Sequence, residues 1–381
     1  MPDNTTAIGR SDKEVIDVFY YAGNRIMPIL GDCRTARISE GNMGHSAWEI
    51  NRILGSLTIK RAVNMLLLLL SFQLSRLLRK PLHMGMPAGL SFEPTTACNL
   101  RCPQCPSGLR SFSRPTGMLQ PDTFERTIDE LACKLIYLTL YFQGEPYLNR
   151  SFFDMVQTAR NRGLFTCTST NAHFLDDNNA RKTVECGLDR LIISLDGITE
   201  ESYKKYRIGG SLALVLEGAR NVMRWKRRLG RRNPEVYFQF LVFRWNEHEI
   251  PEVRRLAASM GIRTLIKTAQ VYDYSTDEVY IPKNPAYARY RMNPEGNYEP
   301  AGRIEDRCWR MWHAPVVTWD GQVLPCCFDK DAAHALGSLS DASFGKIWKG
   351  PEYKKFRKQL MRARKEIEIC RNCSEGNPVW L

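Results

Sequence analysis

Three things are scarce in this 381-residue chain, and each scarcity narrows what the chain can be. Acidic residues are outnumbered, 41 Asp and Glu against 54 Lys and Arg, giving a formal net charge of +13. That balance favours an anionic partner, whether a phosphorylated substrate, an acidic peptide or anionic lipid headgroups. A long apolar run is missing as well: the strongest, residues 62–74, is interrupted by Asn64, Ser71 and Gln73 and reads as too short to span a membrane. No secretory signal precedes the cysteines, so the twelve of them read as reduced metal ligands and not as a disulfide scaffold. A cytoplasmic location is expected, with peripheral contact at a membrane left open, and no nucleic-acid partner is expected.

A fourth thiol is missing where it matters most. Cys98, Cys102 and Cys105 form a C-x3-C-x2-C loop just after Leu90-Ser91-Phe92, and no further cysteine follows nearby. Three thiolates can each bind one iron of a [4Fe-4S] cube and leave the fourth iron open to a chelating cofactor, whereas a fully thiolate-ligated cluster only passes electrons. Structural zinc sites close a tetrahedron with four ligands, which this loop alone does not supply. At these residues the sequence resembles the radical S-adenosylmethionine (SAM) enzymes, from about Leu90 to the C-terminus. The resemblance implies that Cys98, Cys102 and Cys105 hold a catalytic [4Fe-4S] cluster and that SAM chelates its open iron. Reductive cleavage of SAM would then give a 5'-deoxyadenosyl radical that abstracts hydrogen from substrate, with flavodoxin or ferredoxin as a suitable electron donor.

Residues 1–56 show no clear periodicity and read as a lead or a small cap. Over 57–80, Val63, Leu66, Leu67, Leu70, Leu74, Leu77 and Leu78 recur at helical spacing, with Lys60, Arg61, Arg76, Arg79 and Lys80 toward the ends. This predicts an amphipathic helix that either packs on the main domain or lies on a membrane with its basic ends at the headgroups. The stretch 65–70, apolar all round, favours burial from both sides. A second basic run, 224–232, reads as a solvated helix end.

Beyond Leu90 the pattern alternates. Candidate strands are 90–92, 135–142, 164–169, 190–195, 236–243 and 264–268, separated by helical stretches at 121–133, 150–162, 176–186, 211–229 and 247–260. Pro121 opens the first helix, and Gly163, Gly187, Gly230 and Gly261 follow the ends of later ones. Six strands in βα repeats imply a parallel sheet. The expected fold is α/β: a partial (β/α)6 TIM-like barrel, which the resemblance also implies, with an N-terminal helical extension and a small C-terminal domain. The expected boundaries are 1–86 for the extension, 87–272 for the barrel, 273–305 for a connector and 306–381 for the C-terminal domain.

In parallel barrels, functional groups collect on the loops after the carboxyl ends of the strands. The cysteine loop follows the first strand, Gln143-Gly144-Glu145-Pro146 the second, Thr168-Ser169-Thr170-Asn171 the third and Ser194-Leu195-Asp196-Gly197 the fourth. By resemblance, Gly144 and Glu145 match a Gly-Gly-Glu-Pro motif that binds the SAM amino group, with Gln143 in place of the first glycine. Thr170 and Asn171 match a Thr-Asn segment, Ser194 a ribose-contacting serine, and Asp196 stands beside it as a further cofactor-binding candidate. Gln239, Lys267 and Gln270 have an even chance of facing the cavity. His173, His248 and His313 are available as acid or base groups, but their spacing marks none of them out, so the catalytic base is unassigned.

Four further cysteines, Cys308, Cys326, Cys370 and Cys373, come from three places in the C-terminal region. Such a set can close a zinc site or ligate all four irons of a second cluster. Residues 316–323 between the first two read as a hairpin turning at Trp319-Asp320-Gly321-Gln322. Together with Leu336-Gly337-Ser338-Leu339 and Ile347-Trp348, this region resembles the SPASM and twitch extensions of radical SAM enzymes, the single-cluster twitch form being the better match. The resemblance implies an auxiliary [4Fe-4S] cluster on these four thiols, an electron acceptor suited to oxidation. Cys327 is a spare thiol that can be an alternate ligand, line the pocket or be inert. Cys33, Cys133, Cys167 and Cys186 read as buried small side chains. The expected function is a radical SAM oxidoreductase acting on a small hydroxylated substrate of sugar or aminocyclitol type. A peptide or protein maturase is the alternative, weakened by the lack of a recognisable leader-binding domain, and a non-catalytic iron-sulfur electron-transfer or zinc protein is the alternative from another class.

Overall fold

The structure, a computed structural model, describes residues 46–302 and 304–373; Cys33 and the rest of the stretch before Ser46 lie outside the described residues. Six strands, β1 (Gly89–Phe92), β2 (Tyr137–Thr139), β3 (Phe165–Thr170), β4 (Arg190–Ser194), β5 (Glu235–Val242) and β6 (Arg263–Thr268), pair in parallel in chain order. The helices between them include Pro121–Leu131, Phe152–Asn161, Asp177–Glu185, Leu212–Arg228 and Ile250–Ser259. Among the α-helices of the barrel repeats, two escaped the sequence: Pro106–Leu109 in the cysteine loop and Glu200–Tyr206 after β4. Both are too short to show a periodic signal. Gly163 and Gly187 end their helices at φ of 72° and 80°, backbone that a side chain would strain.

Strand alternation sorts the side chains into two layers. Leu138, Leu191, Ile193, Val236, Phe238, Phe240 and Ile266 face the helices and form the main core. Phe165, Cys167, Ile192, Tyr237 and Leu265 face the other way and close one layer of the lumen.

That layer is plugged from below. Helix Ala47–Gly55 sets Ile53 against it, and a capping box of Ser46 and Glu49 fixes the helix start. Glu49 is fully buried and accepts from Arg190 Nε at 2.7 Å, Arg190 Nη2 at 2.9 Å and the Tyr237 hydroxyl at 2.7 Å. Arg52 adds a bond to Asp189 Oδ1 at 2.9 Å. From Ser46 on, therefore, the N-terminal extension is a cap over the amino ends of β3, β4 and β5.

The C-terminal hairpin is β9 (Val316–Val317) and β10 (Val323–Leu324), which follow the small antiparallel pair β7 (Tyr290–Met292) and β8 (Tyr298–Pro300). β9 pairs in parallel with β1, so the hairpin extends the barrel sheet to eight strands, in the order β10-β9-β1-β2-β3-β4-β5-β6. Buried Glu93, two residues ahead of Thr95, holds Arg114 through both oxygens at 2.9 and 2.6 Å and ties the hairpin's Trp319 N–H to the same carboxylate.

Two expectations are corrected. Helix Ile59–Leu78 turns its polar residues Arg61, Asn64, Ser71 and Ser75 inward, while Leu66, Leu67 and Leu70 are 55%, 37% and 47% exposed; residues 65–70 are not buried from both sides. Hydrogen bonding chose the buried face, because Arg61 and Asn64 satisfy backbone groups at the barrel's lower end. Cys133, expected to be buried, is exposed beyond the end of helix Pro121–Leu131, whereas Cys167 and Cys186 are buried.

Glu49→Ala strands the Arg190 guanidinium in a protein interior, where loss of one partner of a buried pair costs about 3 kcal/mol. A clear drop in the denaturation midpoint is expected, with the iron content of the folded fraction unchanged.

Candidate active site and auxiliary cluster pocket

The loop after β1 carries Cys98, Cys102 and Cys105 over the carboxyl end of the barrel, packed with Leu100, Tyr206, Leu241, Phe243 and Ala269. Burial pushes the Cys98 thiol up to about 11 and raises Cys102 as well, with the other thiols of the loop contributing in the same direction. Thiols placed like this stay protonated unless a cation compensates the thiolate, which is what iron supplies. Among the described residues no three His, Cys, Asp or Glu side chains converge as a single metal ion would require. Thiols spread over one loop suit a cluster, in which each meets its own iron.

The strand-end candidates surround that loop. Gly144 has φ of 71°, and a Cβ there would stand 2.2 Å from the Thr95 carbonyl oxygen and 2.7 Å from that of Ala97. Its N–H donates to Ser107 Oγ at 2.8 Å. Glu145 accepts from Thr170 Oγ1 at 2.7 Å, the Asn171 N–H at 2.8 Å and the Tyr147 N–H at 3.3 Å. Burial nonetheless pushes its carboxyl up to about 7, the setting in which an ammonium partner is most favourable. Asn171 Nδ2 reaches Asn99 Oδ1 at 2.7 Å and Cys98 Sγ at 3.9 Å. Gln143, which departs from the family pattern, sits against the same loop, with its Oε1 3.9 Å from Cys105 Sγ.

Ser194 is buried on the lumen side of β4, in phase with Ile192. Asp196 is engaged: it pairs with Arg207 at 2.5 Å and accepts from the Leu241 N–H at 2.8 Å. Arg207 in turn donates to Cys102 Sγ at 3.6 Å. Sequence reasoning missed Arg207, because a lone basic residue ahead of Gly209-Gly210 carries no periodic mark. His173 and His313 are tied to backbone groups, and His248 is exposed. The Ser211 N–H donates to His173 Nε2 at 2.8 Å, so Nδ1 carries the proton toward the Asn171 carbonyl, while His313 Nδ1 bonds the Trp309 carbonyl at 2.9 Å.

Cys308, Cys326, Cys370 and Cys373 gather beside β9 and β10. Cys308 and Cys370 are buried in the main core, with Cys326 packed against it. Burial drives the Cys326 thiol far up, and Cys327, Cys373 and Cys370 add to the rise. Arg364 donates to Cys373 Sγ at 3.4 Å and to the Arg307 carbonyl at 2.6 Å, joining the last Cys pair to the segment before Cys308. The donor set fits a fully ligated cluster next to fixed positive charge.

A cluster of cationic side chains surrounds Cys327. Cys327 is within electrostatic reach of Lys267, Arg310, Lys330, Tyr137 and Tyr141, and Lys330 also feels Cys105. Gln239 and Lys267 share the lumen face with Tyr237 and Leu265. Arg289 is 3% exposed and its Nη1 has no hydrogen-bond partner. Burial, helped by Arg289, lowers Lys267 to about 8.

Gly144→Ala drives a methyl group into the segment leading to Cys98. Reconstituted iron is expected to fall from about eight to about four per chain, as for Cys102→Ala, with the C-terminal cluster retained. Iron counting and electron paramagnetic resonance of the reduced proteins check this.

Comparison with known proteins gives the family. Residues 92–257 match the radical SAM superfamily and residues 308–374 match an iron-sulfur cluster-binding domain, SPASM. The tungsten-containing aldehyde ferredoxin oxidoreductase cofactor-modifying protein of Pyrococcus furiosus is 24% identical over 300 residues, 70% of this chain and 82% of its own. The PqqA peptide cyclase of Gluconobacter oxydans is 26% identical over 315 residues, 77% of this chain and 84% of its own. The SuiB structure from Streptococcus suis, bound to S-adenosylmethionine, superposes with a TM-score of 0.56 at 13% identity, over 76% of this chain and 73% of that one. The anSMEcpe structure with bound AdoMet gives 0.54 at 17% identity, over 77% and 86%. These two likenesses establish the shared fold. The chain belongs to the radical SAM superfamily, as an enzyme that uses S-adenosylmethionine and two [4Fe-4S] clusters, the second in its SPASM domain.

Proposed function

We propose that this enzyme oxidises a small hydroxylated substrate of sugar type that carries a carboxylate or phosphate. The observation that carries this is the cluster of cationic side chains near Cys327, where Arg289 Nη1 is buried without a hydrogen-bond partner and Lys267, Arg310 and Lys330 lie within electrostatic reach of the Cys327 thiol. A buried guanidinium nitrogen without a hydrogen-bond partner is stabilised by an anion, and an anionic substrate supplies one at Arg289. When bound, the clusters and SAM supply hydrogen-atom abstraction and a one-electron acceptor, so that with a base two electrons and two protons leave the substrate.

The chain's own residues do the rest. Cys98, Cys102 and Cys105 are proposed to hold the catalytic cluster, and Cys308, Cys326, Cys370 and Cys373 the auxiliary one. Gly144, Glu145, Thr170, Asn171 and Ser194 are proposed to seat SAM, with Asp196 acting through Arg207. Lys267 and Arg289 orient the anionic end of the substrate, and Gln239 lines the lumen beside them. The aromatic walls Tyr137 and Tyr141 restrict water around the reacting carbon.

A maturase acting on a peptide is the second proposal. It is favoured by the relatedness to PqqA peptide cyclases, and an acidic side chain of a peptide would meet the same cations. The deciding experiment loads the protein anaerobically and follows 5'-deoxyadenosine with SAM, reductant and candidate anions. Stoichiometric product from a sugar acid or sugar phosphate supports the first proposal. Turnover only with peptides transfers the assignment to the maturase, and no SAM cleavage by wild type with eight irons refutes both.

Lys267 is charged below about pH 8 and neutral above it. KM for the anionic substrate is therefore expected to rise as pH increases through 8, and Lys267→Met is expected to raise KM about tenfold or more and to flatten that limb. Initial rates across pH check the sign.

A further inference from the structure

Helix Ile59–Leu78 is amphipathic in the reverse sense for a packed helix. Its inner stripe is polar. Arg61 donates to the carbonyls of Ala132, Gly163 and Arg162 at 2.7 to 3.1 Å, Asn64 exchanges two 2.8 Å bonds with the Met86 backbone, and Ser75 bonds both the N–H and the carbonyl of Leu82. Leu68 and Phe72 complete the contact. The outer stripe is apolar: Ile59, Val63, Leu66, Leu70, Leu74 and Leu77 are between 40% and 84% exposed, over a helix about 30 Å long. A face of that size left to water marks an interaction surface.

Charge identifies the partner. Between Glu49 and Glu93 the chain carries no Asp or Glu, and four of its basic residues there, Lys60, Arg76, Arg79 and Lys80, are exposed at the two ends of the stripe. An antiparallel pairing of two copies along this helix would set Lys60 of one against the Arg76 to Lys80 cluster of the other, with no carboxylate on the helix to relieve it. Anionic lipid headgroups carry the complementary charge, and the acyl boundary accepts the leucines. By length and composition the helix could also cross a membrane. Crossing would strip Arg61, Asn64 and Ser75 from the backbone groups they satisfy, at several buried hydrogen bonds' cost.

We propose that this helix seats the enzyme on an anionic lipid surface, lying flat with its leucine face in the headgroup and acyl boundary. Arg61 binds carbonyls at the ends of the helices that lead into β2 and β3, on the side of the barrel opposite the cysteine loop. The docked enzyme therefore turns its active-site mouth to the aqueous phase, and the helix is an anchor and not a substrate gate.

The test is flotation of the full-length, cluster-loaded protein with phosphatidylcholine vesicles, with and without phosphatidylglycerol. Wild type is expected to float with the anionic vesicles only. Leu66→Glu with Leu70→Glu is expected to cut the floated fraction at least tenfold, and loss of each exposed basic residue about fivefold, with 5'-deoxyadenosine formation unchanged as the check on folding. Wild type that stays at the bottom with both vesicle types overturns the proposal. Light scattering then tells whether a second copy covers the leucines. Flotation unaffected by the double substitution overturns it equally.

Discussion

The chemistry of this chain depends on the parallel ladder from β1 to β6. Parallel pairing points every strand's carboxyl end to one rim, so loops far apart in sequence meet around the three thiols of the cysteine loop. Glu145 after β2 reaches Thr170 and Asn171 after β3, and Asp196 after β4 reaches Arg207, which reaches Cys102 after β1. The opposite rim serves stability, through the buried Glu49 and its bonds to Arg190 and Tyr237.

The C-terminal domain is joined to that ladder by hydrogen bonds. β9 extends the sheet beyond β1, and Glu93 holds both Arg114 and the Trp319 backbone. Backbone pairing of β9 with β1 thus anchors the segments that lead into the two thiol sets.

The two surfaces of the molecule then divide the work. The mouth of the barrel is polar, cationic and lined by part-buried side chains, while the far side carries a leucine stripe rimmed with basic residues. Both draw on the same excess of Lys and Arg, one inward and one outward.

Much of this was legible in the sequence. The C-x3-C-x2-C loop, the βα rhythm and the Gly-Glu-Pro turn are local signals, set by spacing and periodicity, and they pointed to the fold class and to the candidate cluster ligands. The hairpin at Val316 to Leu324 was legible for the same reason, since a turn and two β-branched flanks are adjacent in the chain. Only the tertiary structure decided that this hairpin pairs with β1, that Ile53 and Glu49 plug the barrel, that Arg207 reaches Cys102, and that Arg310 and Lys330 come near Cys327. Each of those depends on groups far apart in sequence, and a lone Arg carries no periodic mark. The same limit governs the helix at Ile59–Leu78: its two stripes were readable as apolar and polar, but which of them turned inward was settled by the carbonyls at Ala132, Arg162 and Gly163, which no local pattern reveals.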